Sequence, residues 1–131
     1  MSRLTYPLLL LAAVFASGCV GNGSDDNLPN FPFTRTLSVT FVNNGTAPVN
    51  MWISPDTPRD ANLVQPGQQR TETVTRTWDN QGEVETFNFF ARFANVDHPN
   101  TINVAGRDSN APNFSGFRAT FTDQTFRTVT E

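Results

Sequence analysis

Lysine is absent from the 131 residues, so all nine basic side chains are arginine. That removes Schiff-base chemistry and the lysine of a phosphate-binding P-loop. Cysteine and histidine occur once each, at Cys19 and His98. No Cys/His set with zinc spacing can be assembled from them, and His98, beside Pro99, reads as a loop residue. The formal charge is −3, and no arginines cluster, so the electrostatic footprint of a nucleic-acid partner is missing. Beyond the first thirty residues no stretch shows the 3.6-residue period of a helix. Serines at 24, 38, 54, 109 and 115 could enter a Ser-His-Asp triad, but no Gly-x-Ser-x-Gly elbow occurs. No catalytic group and no cofactor is expected.

What is present begins with an address. Arg3 supplies one positive charge, and Leu4 to Ala16 then runs without a charge. This is the pattern of a secretory signal, and it falls short of the roughly 18 to 20 apolar residues that a spanning helix needs. The next four residues, Ala16-Ser17-Gly18-Cys19, resemble the bacterial lipobox, in which small residues precede a cysteine that becomes the lipidated first residue. The resemblance implies cleavage after residue 18 and lipid attachment at Cys19. It also accounts for a lone cysteine in an exported chain, which has no internal disulfide partner. Val20 rather than Asp follows the cysteine, which in such lipoproteins implies the outer membrane of a Gram-negative envelope.

Three segments follow: 1–18 as signal, 19–30 as tether, and 31–131 as one β domain. Cleavage would leave 131 − 18 = 113 residues, and 8 Arg against 12 acids sets their charge at −4. The tether, Val20 to Asn30, is rich in Gly, Asn and Asp with no apolar period. Its Asp25-Asp26 pair reads as solvated spacer rather than metal site.

From Phe31 the period is two. Leu37, Val39 and Phe41 alternate with Ser38, Thr40 and Val42 up to the Asn43-Asn44-Gly45 turn, and Val49, Met51 and Ile53 form a second strand. Gln65-Pro66-Gly67-Gln68 has the residues of a type II turn, with proline fixing φ and glycine accepting the positive φ that follows. Strands at Gln69–Trp78 and Val84–Phe93 come next, the latter with Phe87, Phe89, Ala91 and Phe93 on one face. Thr101 to Gly106 and a final hairpin through Phe117, Phe121, Phe126 and Val129 complete six or seven strands. An all-β antiparallel sandwich of immunoglobulin-like type is the expected fold. A barrel is the rival, and ligand-holding barrels take eight or more longer strands.

The run Leu37 to Ile53, the Leu63-Val-Gln-Pro-Gly-Gln68 turn and the Thr-rich strand ending at Trp78 resemble bacterial immunoglobulin-like surface modules of the CARDB type. The similarity spans Leu37 to Phe93. It implies a role in adhesion, spacing or binding, as a lone module, with no catalytic residues to carry over.

The sharper candidates are few. Glu72, Asp79, Glu83 and Glu85 could gather at one end of the sandwich, yet glycoside hydrolysis needs two carboxyls about 5 to 10 Å apart in a cleft. Asp108-Ser109-Asn110 has oxygen donors two apart, as calcium loops do, without the glycine and glutamate of an EF-hand. Thr71, Thr73, Thr75 and Thr77 share one face of a single strand, whereas an ice- or polysaccharide-binding array needs several. That strand also reads as a half-buried edge open to strand addition. Trp52 lies on the face opposite Met51, and an exposed indole there, with Trp78, would mark a glycan or protein hot spot. The expected role is a lipid-anchored binding, adhesion or spacer module. The alternatives are a small glycan-binding or carbohydrate-active domain using Trp52, Trp78 and nearby acids, and an assembly subunit docking by strand addition. The expected partners are the membrane, through the lipid, and a protein or glycan of the envelope.

Overall fold

Alternating side chains carry the chain through eight strands: β1 Phe33–Asn43, β2 Val49–Ile53, β3 Leu63–Val64, β4 Gln69–Trp78, β5 Val84–Phe93, β6 Val96–Ala105, β7 Gly116–Phe121 and β8 Phe126–Thr130. The structure is a computed structural model and describes residues 28–131. The signal segment, Cys19 and the tether up to residue 27 lie outside the described residues. Six strands occupy the places expected for them, and β6 begins five residues before the expected Thr101; the eighth is the two-residue β3, which pairs with β2 through Val49↔Val64 and Asn50↔Leu63. Among the described residues no helix is long and apolar enough to cross a membrane.

Two four-stranded sheets result, in the orders β4-β1-β7-β8 and β3-β2-β5-β6. All pairings are antiparallel except β1 with β7. The two sheets pack as a sandwich of generic immunoglobulin-like character. Its interior is built from the alternate residues that the period of two selects: Leu37, Val39 and Phe41 on β1, Val49 and Met51 on β2, Phe87, Phe89 and Ala91 on β5, and Phe117 and Ala119 on β7, all fully buried. Each large side chain among them contributes about 1.5–3 kcal/mol by leaving water. Phe117 sits at the centre, with the rings of Phe87, Phe89 and Phe114 at 4.7, 5.1 and 5.4 Å.

The two ends of the sandwich differ. At one end lie four turns, and two of them, β1–β2 and β3–β4, are bonded to Asn43, which is fully buried. Its amide donates to the carbonyls of Ala47 and Val64, both at 2.8 Å, while its Oδ1 accepts from Gly45 N. The expected type II turn is formed there, with Gly67 at φ +72° and Gln68 N donating to Gln65 O at 3.0 Å. Thr46 N and Oγ1 bond the two carboxylate oxygens of Asp123, tying the β1–β2 turn to the β7–β8 turn. Phe93, at the β5–β6 turn, stacks near Phe121 at 5.5 Å. The opposite end is where the chain enters β1, and there Phe33 pairs with Trp78. The Trp78 indole, fully buried, crosses to the other sheet and donates to Val104 O at 2.9 Å.

His98 and Pro99 are a correction, since they lie within β6 rather than in a loop. Ala94 and Asn95 take φ of 49° and 61°, making a two-residue turn of the mirror-image kind that hairpins favour, so β6 begins at Val96. Pro99 is tolerated because β6 is an edge strand and its missing amide costs no ladder bond.

Candidate functional site

Three surfaces carry the side chains singled out by sequence. The first is the outer face of the β3-β2-β5-β6 sheet. Trp52 does point outward there, but it is only 4% exposed. Phe90 stacks on it at 5.3 Å with a 13° interplanar angle, and the Arg92 guanidinium lies 5.6 Å from its ring. Arg92 in turn forms a two-point pair with Asp97 opposite, at 2.5 and 2.9 Å. This pairing raises the Arg92 pKa and lowers that of Asp97. The short turn Asp60–Asn62 packs against β2 beside them. With Trp52 covered and Trp78 inside the core, neither indole offers a platform to a sugar.

The second surface is the outer face of β1 and β4. Thr71, Thr73, Thr75 and Thr77 are exposed along β4, as the period of two demands. The strand pairing sets a second row beside them: Thr40↔Thr71, Ser38↔Thr73, Thr36↔Thr75 and Thr34↔Thr77. Three of the four rungs are closed by hydroxyl–hydroxyl bonds, Thr34 to Thr77 at 2.7 Å, Thr36 to Thr75 at 2.9 Å and Thr40 to Thr71 at 3.3 Å. The array is therefore two strands wide, correcting the single row apparent in sequence. Its rows stand about 4.8 Å apart, with successive rungs about 6.8 Å apart. No charged side chain lies within it.

The third surface is the seam where β4 overhangs the other sheet. Arg70, Glu72, Val74 and Arg76 face inward there. Arg70 pairs with Glu72, donates to Met51 O at 2.6 Å and lies 4.8 Å from the Phe41 ring. Arg76 lies 3.8 Å from Glu85 and donates to Ser54 O at 3.3 Å. These carbonyls belong to the part of β2 and its exit that the two-residue β3 leaves without a neighbour. The two arginines thus stand in for a missing strand.

The acids singled out by sequence each have a local partner or neighbour. Glu72 and Glu85 face these arginines, and Glu83 accepts from Asp79 N. Asp108 ends the short turn Gly106–Asp108, with Arg107 at 3.8 Å, while Ser109 is buried and donates to Gly106 O at 2.6 Å. Among the described residues no three His, Cys, Asp or Glu side chains are grouped as a metal ion would require. His98 rests edge-on against Phe121 at 5.9 Å.

A cavity of about 230 Å³, absent from the sequence reading, opens at the chain-entry end between β6 and the Gly106–Ser115 connection. Val104, Ala111 and Phe114 supply its apolar lining, and Asn103, Asp108 and Asn113 supply polar groups. It is smaller than the roughly 300–1,000 Å³ typical of ligand pockets. No local motif announces it, because its residues come together only when β6, the connection and β8 are packed. The chain matches no family model, no curated protein and no solved structure with which it was compared.

Proposed function

We propose that the chain is a lipid-anchored, non-catalytic module of the bacterial cell envelope that acts by binding or spacing. The observation that carries this reading is the use made of the reactive side chains. Both indoles are covered, Trp78 in the core and Trp52 under Phe90, four arginines are paired with the carboxylates of Asp56, Glu72, Glu85 and Asp97, and the outer face of β1 and β4 is an uncharged hydroxyl ladder. Side chains spent in this way stabilise a shape. The anchor is Cys19, and the resemblance of Ala16 to Cys19 to a lipobox supports it. The strand, turn and strand order from Leu37 to Phe93 supports kinship with CARDB-type surface modules. Polarity is consistent with display: the tether joins the domain at the Phe33 end, and the four turns lie at the Asn43 end. Val20 rather than Asp after the cysteine supports an outer-membrane anchor where the host is Gram-negative.

Intact mass of the membrane-fraction protein, with and without Cys19→Ala, tests the reading. A mass above that of residues 19–131 by two or three acyl chains, lost in the variant together with detergent-phase partition, is expected. Each buried methylene contributes about 0.8 kcal/mol, so that several chains hold the protein on the bilayer. A soluble, unmodified product with a free thiol overturns it.

A further inference from the structure

We propose that β4 is a self-association edge, and that two copies of this chain pair antiparallel along it about a two-fold axis at Val74. β4 is the outermost strand of its sheet, so the backbone groups on its far side have no strand partner. An unpaired edge of ten residues is normally blunted by brevity, proline, lysine, a bulge or inward-pointing charge. The other edges are blunted: β3 has two residues, β6 carries Pro99, and β8 has five residues and packs on β6. β4 has no proline, the chain has no lysine, and all ten β1–β4 pairs run in unbroken register without a bulge. Inward charge alone remains, as Arg70, Glu72 and Arg76.

Those charges select one partner. Read outward from Val74, the strand is nearly palindromic: Thr73 and Thr75, then Glu72 and Arg76, then Thr71 and Thr77, then Arg70 and Trp78. Antiparallel pairing of two such strands about Val74 sets Glu72 against Arg76 of the partner copy twice over. It also sets each threonine against a threonine and each Arg70 against the edge bearing Trp78. Opposite charges and Thr–Thr pairs directly across a ladder are favourable, whereas like charges are not. Moving the axis to Thr73 brings Arg70 against Arg76, two like charges, and moving it to Thr75 leaves Glu72 facing Trp78. A half-residue shift sets inward side chains against outward ones and flips the second sandwich to the wrong face. The symmetry is that of an isologous dimer, the commonest closed assembly.

The interface is one strand pair and is smaller than a standard stable interface, so the free chains associate weakly. Antiparallel pairing points the chain-entry ends of the two copies in opposite directions, so attachment to one surface does not by itself favour it. Pairing would also widen the hydroxyl ladder from two strands to four, β1 and β4 of each copy. The inference itself does not require the anchor, and its test is run without lipid.

The test uses the full chain carrying Cys19→Ser, so that introduced thiols are the only ones. Thr71→Cys and Thr77→Cys are prepared as separate proteins, each checked for an unchanged thermal melt, then oxidised alone and as a mixture. Opposed residues have Cα atoms about 4.5–5.5 Å apart, inside the disulfide range of about 4.4–6.8 Å. Identical positions, such as 71 with 71, lie six residues apart along the strand, or roughly 20 Å. The expected result is a disulfide dimer in the mixture at about tenfold or more over either protein alone, with the 71–77 link identified by peptide mapping. The same outcome is expected for Thr73→Cys mixed with Thr75→Cys. Equal linking of each variant with itself, or no linking in either mixture, overturns the proposal.

Discussion

Asp56 fastens the long β2–β3 connection with both of its carboxylate oxygens. Oδ1 accepts from Thr57 N at 2.9 Å, and Oδ2 accepts from Arg59 and from the buried Asn62 amide at 3.0 and 3.1 Å. Asn62, only 1% exposed, also donates to Thr57 O. The Thr57 amide is the largest cause of a pKa held below the ordinary 3.8, with Asn62, Arg59 and Arg70 adding to it against a smaller desolvation effect. Since the folded value is depressed, the stabilisation is present in full above the unfolded pKa. It is lost as pH falls through the folded one, so the window lies below about pH 4. Asp56→Asn should therefore melt lower than the parent at pH 7. Its melting temperature should also fall less than the parent's between pH 5 and acid. Melting curves across that range check this, and parallel curves for the two proteins would show that Asp56 is not the titrating contact.

At the scale of elements, the parallel pairing of β1 with β7 rests on one close approach. A Cβ built on Gly116 would stand 1.9 Å from Ser38 O, which is backbone and cannot turn aside. Gly116→Ala must separate the two central strands of its sheet, and should cost at least about 3 kcal/mol in urea unfolding. Gly82 sits in the β4–β5 turn, where the nearest atom to an added Cβ is 3.5 Å away. Gly82→Ala should change stability by under about 1 kcal/mol, and comparable losses for the two would contradict the packing argument. The elements also show what was legible in advance. β4 and β5 are expected at Gln69–Trp78 and Val84–Phe93 and occur there, because alternation and flanking Pro, Gly and Asn are local signals. The start of β6 was illegible because its turn uses Ala94 and Asn95 without a glycine, and because Pro99 imitates a strand end. The second hydroxyl row was illegible for a different reason: Thr34 and Thr77 meet only through a register spanning 43 residues of chain. Parity put Trp52 on the outer face correctly, but it says nothing of the Phe90 and Arg92 side chains that cover it.

For the whole molecule, the two indoles report on separate layers of one cooperative unit. Trp78 bridges the sheets at the chain-entry end through its bond to Val104, inside a cluster that includes Phe33 and Phe87 at 6.4 and 6.5 Å. Trp52 lies outside the opposite sheet, under Phe90. If the sandwich unfolds as a unit, as single domains of this size do, both environments are lost at the same denaturant concentration. Trp52→Phe and Trp78→Phe leave one indole each. Trp52→Phe keeps a ring for Phe90 to stack on, and the stability loss should be about 1 kcal/mol; Trp78→Phe leaves Val104 O unpaired beside a cavity and should cost about 3 kcal/mol. Within each variant, fluorescence and far-ultraviolet circular dichroism should give one coincident transition. A Trp52 transition that precedes the loss of strand signal would mean that the outer layer of β2, the Asp60–Asn62 turn and Phe90 opens separately. That surface would then belong to a mobile binding face rather than to the fixed scaffold, and Trp52 would return as a candidate contact residue.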